Sequence, residues 1–325
     1  MFQGNENEAF FNSPVSLDKE LNYNVDAVYF GETYWASNRW QGMVYRMAIP
    51  WDWSDTNTYV DNPNDGSDPW TFHAFFDADR PVTAPVSLSL DRRNNTWVYF
   101  GTGRYISDDD KDDSNAQYQY IFGVVDPFFN TYYDGANGDY YHDYNNTKLL
   151  DINDLFEADD YAVSTDGKVF DNNGTDYFGE WDGLLVEART YEGWYRSFTD
   201  DMERVIVKMT VLGGIVFVPS FIPNQDVCAY GGDSNLYGFY FETGTAFYNP
   251  IFSEGTETTT IDGEEHEIVQ TMMSLGYGKS SALGVHVGQE EGAKAFIQQS
   301  TGVVSEADVT PAFSVKSGLV NWREK

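Results

Sequence analysis

The sequence predicts an all-β protein built as a β-propeller of small antiparallel sheets, and three observations carry that expectation. Aromatic residues make up 17% of the 325 residues, with 23 Tyr, 23 Phe and 9 Trp, a load that suits strands. Apolar runs rich in β-branched and aromatic side chains alternate with Gly, Asn and Asp turns along most of the chain. Four of the paired runs also resemble one another, which is how a blade repeat shows itself in sequence. An ordinary β-sandwich is the competing architecture, and only the self-similarity separates the two.

In chain order, "DAVYFGETYW" (26–35) and "GMVYRMAIP" (42–50) read as two strands joined by a polar turn. "APVSLSLDRRNNTWVYFGTGRY" gives two more, with Asn94 and Asn95 turning the hairpin. "QYQYIFGVVD" (117–126) adds another. "ERVIVKMTVLGGIVFVPSFIP" reads as two buried runs hinged at Gly213 and Gly214, followed by the strand in "SNLYGFYFETG". "LGVHVGQEEGAKAFIQQSTG" repeats the form of strand, acidic turn, strand and turn. The recurring units are "VYFGETY…GMVYRM", "VYFGTGRY…YIFGVVD", "VFVPSFI…LYGFYFETG" and "VHVGQEEGAKAFIQQSTG". Four units would leave a propeller ring incomplete, so closure calls for further polypeptide. Residues 127–193 break the pattern with Asn, Asp, Gly and Tyr, and read as an irregular insertion that either projects as a binding surface or covers a sheet edge.

Charge excludes one class of partner. With 52 acidic against 19 basic residues the net charge is -33, which repels phosphate backbones and excludes nucleic acid. The same acidity suits a saline or extracellular medium and attracts divalent cations. Cys228 is the single cysteine, so no disulfide forms within the chain. No run approaches the length of a membrane span, and "MFQGNENEAFF" lacks the basic start and apolar centre of a signal peptide. Either the protein is cytosolic or its synthesis began upstream of this N-terminus, and the second is the expectation once the family likeness below is taken in.

"DKELNYNVDAVYFG" (18–31) holds the candidate site. With Asp18 as position 1, Glu20 falls at 3, Asn22 at 5, Asn24 at 7 and Asp26 at 9, the odd-position register of a calcium loop in which position 7 offers its backbone carbonyl. Hard oxygen donors and the lack of a nearby His or Cys favour Ca²⁺ over zinc or copper. Tyr23 stands where an EF-hand has Gly, and Tyr29 where it has its bidentate Glu, so this is not an EF-hand. An acidic turn that binds nothing is the alternative.

The ordered segments "DKELNYNVDAVYFGETYWASNRWQGMVYRM", "RPVTAPVSLSLDRRNNTWVYFGTGRYISDDDKDDSNAQYQYIFGVVD", "EGWYRSFTDDMERVIVKMTVLGGIVFVPSFIPNQDVCAYGGDSNLYGFYFETG" and "SLGYGKSSALGVHVGQ" carry a family likeness. The chain resembles the C-terminal β-propeller of the PilY family, type IV pilus tip-associated adhesins and assembly factors. The resemblance implies a quinoprotein-like propeller over 1–325 and a calcium loop of form D-x-[DN]-x-D-x-x-x-D before a blade strand. Asp18, Glu20, Asn22 and Asp26 fall on its side-chain positions and Asn24 on its carbonyl position, with Glu in place of Asp or Asn at the second ligand and Asn in place of Asp at the third. It further implies a non-enzymatic role at the cell surface or pilus tip, with minor pilins or an N-terminal partner polypeptide as contacts.

Other candidates are weaker. "SDDDKDDSN" (107–115) could hold a second cation or simply be a solvated loop. His73, His142, His266 and His286 lack metal-ligand spacing, "GTGRY" lacks the helix and Lys of a phosphate loop, and no G-x-S-x-G elbow occurs. A propeller enzyme, quinoprotein-like dehydrogenase or glycan-active hydrolase, is the other function class, without a cofactor-cage pattern or vicinal cysteines to support it.

Overall fold

The protein is all-β, and its strands fall into separate sheets distributed over two compact units. The computed structural model describes residues 8–19, 21, 23–48, 71–112, 117–134, 139–142, 146–224, 231–253, 255–287 and 293–314. One unit is Met1–Glu157 with Arg189–Lys208; the other is Ala158–Ala188 with Met209–Lys325.

In the first unit, β1 (Ala9–Phe11), β3 (Ala27–Ala36), β4 (Arg39–Ala48) and β5 (Thr71–Asp77) lie side by side, and β2 (Val15–Leu17) also pairs with β3. Ser37 and Asn38 join β3 to β4 with φ of 51° and 60°, the left-handed pair that matches strand twist in a tight hairpin. The second sheet runs β11 (Phe156–Glu157), β14 (Gly193–Ser197), β8 (Tyr120–Val125), β7 (Thr96–Gly101) and β6 (Ser87–Leu90). Asp91 stitches the β6–β7 turn, accepting from the Arg93 and Asn95 amides at 2.8 and 2.9 Å and from the Asn95 side chain at 2.9 Å. Phe76 of β5 packs against Phe100 and Phe122 at ring separations of 5.3 and 5.0 Å, so the core forms where the two sheets meet. Gly123 is required in β8 because a Cβ there would lie 2.4 Å from the ring of Trp194, which is fully buried.

A charged network sits inside that apolar core. Asp126, at the end of β8, accepts from the Tyr29 hydroxyl at 2.6 Å and the Phe128 amide at 3.0 Å, and pairs with Arg46. The Arg46 guanidinium also lies 4.2 Å from the Phe128 ring centre, while its Nε has no hydrogen-bond partner. Burial, then the Asp126 charge, pushes the Tyr29 phenol well above its ordinary range, so it stays a donor.

In the second unit, β12 (Tyr161–Val163) and β13 (Val169–Asp171) form a hairpin ahead of the helix α1 (Trp181–Ala188). The main sheet runs β15 (Thr210–Leu212), β16 (Ile215–Pro223), β17 (Gly232–Tyr240) and β20 (Met272–Tyr277). Gly213 and Gly214, with φ of 53° and 83°, make the expected hinge. Trp181 packs edge-on to Tyr240 and Phe247 at 4.7 and 5.2 Å and donates to the Ala246 carbonyl at 3.3 Å. A hairpin of β18 (Thr256–Ile261) and β19 (Glu264–Val269) and a sheet of β21 (Gly284–Val287), β22 (Ala293–Gln298) and β23 (Val304–Val309) complete it.

Each of the four sequence units is a hydrogen-bonded hairpin: β3 with β4, β7 with β8, β16 with β17, and β21 with β22. Among the described residues the named strand pairs are antiparallel except β11 with β14, and no sheet closes on itself. One expected strand is much shorter than the sequence suggests. Of the run 203–212 only Thr210–Leu212 is a strand, because Val205 instead packs where a Cβ on Gly101 would lie, at 2.5 Å. The 127–193 stretch carries its own short strands and α1, and its Phe128, Phe129, Leu150 and Leu155 belong to the first core.

Candidate functional site

The 18–26 segment closes the β2–β3 hairpin. Leu17 pairs with Ala27, so the described residues between them are loop, and the Asp26 amide donates to the Leu17 carbonyl at 2.8 Å across its neck. Leu21 and Tyr23 take positive φ of 55° and 70°, which coils the backbone tightly although neither is Gly. Their side chains pay no packing penalty for this, since Tyr23 is 95% exposed and Leu21 is exposed too.

Asp18 and Asp26 stand at the two ends of the loop and both turn back on it. Asp18 Oδ2 accepts from the Tyr23 amide at 2.7 Å, and Asp26 Oδ2 accepts from the Lys19 amide at 2.6 Å. These charge-assisted bonds hold the carboxylates beside the coiled backbone. Lys19, only 8% exposed, anchors the loop from beneath: its ammonium donates to the Asn94 carbonyl at 2.6 Å and lies 5.8 Å from the Phe129 ring centre. Asn94 is the left-handed residue of the β6–β7 turn, so the loop rests on the second sheet of its own unit.

Of the five expected ligands, Asp18, Asn24 and Asp26 are placed in this loop, whereas Glu20 and Asn22 lie outside the described residues. Among the described residues no three His, Cys, Asp or Glu side chains come together. The described donors of this turn, two carboxylates and Asn24, are hard oxygen ligands in type, and each carboxylate already accepts a backbone amide through Oδ2. Sequence reading missed Lys19, whose place between two candidate ligands hid its role as an anchor.

The second acidic stretch behaves differently. Asp110 pairs with Arg104 at 2.6 Å and accepts from the Ile106 and Ser107 amides at 2.7 and 2.8 Å, capping the short turn Asp108–Lys111. That carboxylate is committed to the protein. Cys228 and His142 have no described side chain, while His73 lies opposite Arg46 in the first sheet and His266 packs on Phe170 at 4.8 Å.

No protein-family model matches the chain. Over 206 residues it is 24% identical to the type IV pilus biogenesis factor PilY1 of Pseudomonas aeruginosa, in strains PAO1 and PAK alike. The chain is similar to PilY1. The likeness is distant and takes in 62% of this chain but 16% of PilY1, so the chain spans a small part of that protein's length.

No helix among the described residues is long and apolar enough to cross a membrane.

Proposed function

We propose that this chain is a PilY-like propeller region that works, without catalysis, in a type IV pilus system at the cell surface. The observation that carries this reading is the 206-residue similarity to PilY1. Separate antiparallel sheets built on repeated hairpins agree with blades, and an N-terminal partner polypeptide would complete the ring. Minor pilins are the proposed contacts, and an exposed sheet edge gives them a way to bind by adding a strand. The protein would act outside the cell as an adhesin or in pilus assembly and retraction.

Calcium is the proposed ligand of the 18–26 loop. Asp18, Glu20, Asn22 and Asp26 would hold it through side chains and Asn24 through its backbone carbonyl. The ion would supply positive charge to a loop otherwise fixed by Asp18, Asp26 and Lys19, and so couple loop order to its concentration. Titration calorimetry on metal-stripped protein tests this directly. Saturable Ca²⁺ binding that disappears in Asp18→Ala, Asp26→Ala is expected, whereas binding unchanged by the pair would remove the loop from the proposal. Failure of the chain to associate with any minor pilin or N-terminal fragment would remove the pilus role.

A further inference from the structure

Two acceptor motifs for asparagine-linked glycan, Asn94-Asn95-Thr96 and Asn173-Gly174-Thr175, lie wholly among the described residues, each in a turn. A third, Asn145-Asn146-Thr147, begins outside them. Such a motif works only when two side chains are presented together: the carboxamide nitrogen that becomes bonded to the sugar, and the threonine hydroxyl by which the transferring enzyme holds it. A chain rich in Asn and Thr produces the motif by chance, so the fold decides which copy is an acceptor.

The first copy is closed by the core. Asn94 is exposed, but Thr96 begins β7 with no exposed surface, and its hydroxyl is buried without a hydrogen-bond partner. Thr96 pairs with Leu90 of β6, and its carbonyl accepts from the Asp126 amide at 2.9 Å. Presenting that hydroxyl to an enzyme means peeling β7 from between β6 and β8, an opening drawn from the most stable part of the first unit.

The second copy is open. Asn173 and Thr175 are both exposed, with Gly174 between them at φ of 77°. The Asp171 amide donates to the Thr175 carbonyl at 3.0 Å and the Gly174 amide to the Asp171 carbonyl at 2.9 Å, closing a turn that carries Asn173 at its tip. Asp171 Oδ1 accepts from the Asn173 and Thr175 amides at 2.8 Å each, so both residues are anchored through their backbone. Beyond the turn the pairing continues through an isolated bridge of Phe170 with Asp176 and the Tyr177 amide on the Val169 carbonyl at 3.2 Å. An enzyme opens this loop by breaking a few exposed hydrogen bonds and no core strand. Asp171 also stands two residues before Asn173, the acidic position that the more demanding transferases require, where the first copy has Arg92.

We propose that Asn173 is an acceptor of asparagine-linked glycan on the folded chain. The Asn173 carboxamide nitrogen attacks the anomeric carbon of a sugar carried on a lipid pyrophosphate. The C–N bond forms, the sugar–phosphate C–O bond breaks with its electron pair leaving on the lipid pyrophosphate, and the nitrogen gives one proton to a base of the transferase. The proposal rests on the cell-surface reading, because such transfer takes place outside the cytosol.

The test incubates the full folded chain with a purified oligosaccharyltransferase that accepts any N-x-Ser/Thr and a polyprenyl-pyrophosphate-linked oligosaccharide, followed by peptide mass mapping. Glycan on the peptide holding Asn173 is expected at about tenfold or more the occupancy of the peptide holding Asn94, since only the latter needs a core strand opened. Thr175→Val should abolish the mass shift at Asn173 and Thr175→Ser should keep it, with circular dichroism establishing that each variant is folded. If Thr175→Val does not fold, the ratio of the two peptides in the wild type decides. An unmodified Asn173, a shift that survives Thr175→Val, or occupancy at Asn94 equal to that at Asn173 overturns the proposal. The assay supplies enzyme and donor and needs neither export nor a pilus, so its failure leaves the pilus reading standing, and loss of pilin association leaves this site standing.

Discussion

Replacing Arg46 by Met isolates the cost of the charge buried in the first core. The side chain is 1% exposed and its partner Asp126 is fully buried, so the carboxylate would lose its counter-charge where water cannot replace it. The Tyr29 hydroxyl at 2.6 Å and the Phe128 amide at 3.0 Å would still hold Asp126, but neither carries charge. Breaking one side of a buried ion pair costs about 3–5 kcal/mol, a large share of the roughly 5–15 kcal/mol that holds a domain folded. Urea unfolding followed by tryptophan fluorescence, which includes the buried Trp97 and Trp194, should show that loss as a lower midpoint with an unchanged slope. Adding Asp126→Asn removes the stranded charge, so the double variant should be more stable than Arg46→Met alone. A loss below about 1 kcal/mol for Arg46→Met, or a double variant whose loss equals the sum of the singles, would refute the reasoning.

Three further outcomes follow from the same geometry. Gly123→Ala forces a methyl to 2.4 Å from the Trp194 ring and should cost about 1–3 kcal/mol in the same urea assay. Lys19→Met removes the ammonium bond to the Asn94 carbonyl and should weaken Ca²⁺ binding in calorimetry while leaving the ligand side chains in place. Burial, reinforced by the Arg46 charge, lowers the His73 pKa from 6.5, so below that pH the unfolded chain takes up a proton that the folded chain resists. Stability is therefore complete above pH 6.5 and declines as the pH falls through the window beneath it; His73→Gln should flatten that part of a urea-midpoint profile against pH.

The hairpins that could be read in the sequence are those whose two faces differ or whose runs are wholly apolar. Tyr29, Val44 and Tyr45 on one hairpin and Phe217 and Val218 on another give strong strand signals, and Gly213-Gly214 marks its turn without ambiguity. The β18–β19 hairpin escaped notice because "TETTTIDGEEHEIV" is mostly exposed and has no apolar alternation, although Asp262-Gly263 with φ of 52° and 84° is a strong turn pair. The loop at 18–26 was legible from oxygen spacing alone, since local register places Asp18 and Asp26 at its ends. Lys19 was not, because its partner Asn94 is distant in sequence and only the packing of two sheets brings them together.

Neither unit is continuous in the chain, and this constrains how the protein can be made. A ribosome would deliver β6, β7 and β8 early but β14, the strand that pairs with β8 on its other side, only after the whole of 158–188 had emerged. That intervening segment, with Trp181 destined for Tyr240 and Phe247, would in turn wait for residues past 209. Each half thus holds an unfinished edge while the other is being synthesised, and release of the nascent chain before residue 193 would strand β8 without its neighbour. The two units mature on interleaved schedules, so a truncation after 157 or after 188 should yield two unfinished fragments, whereas one after 208 keeps every residue of the first unit and leaves the second without 158–188.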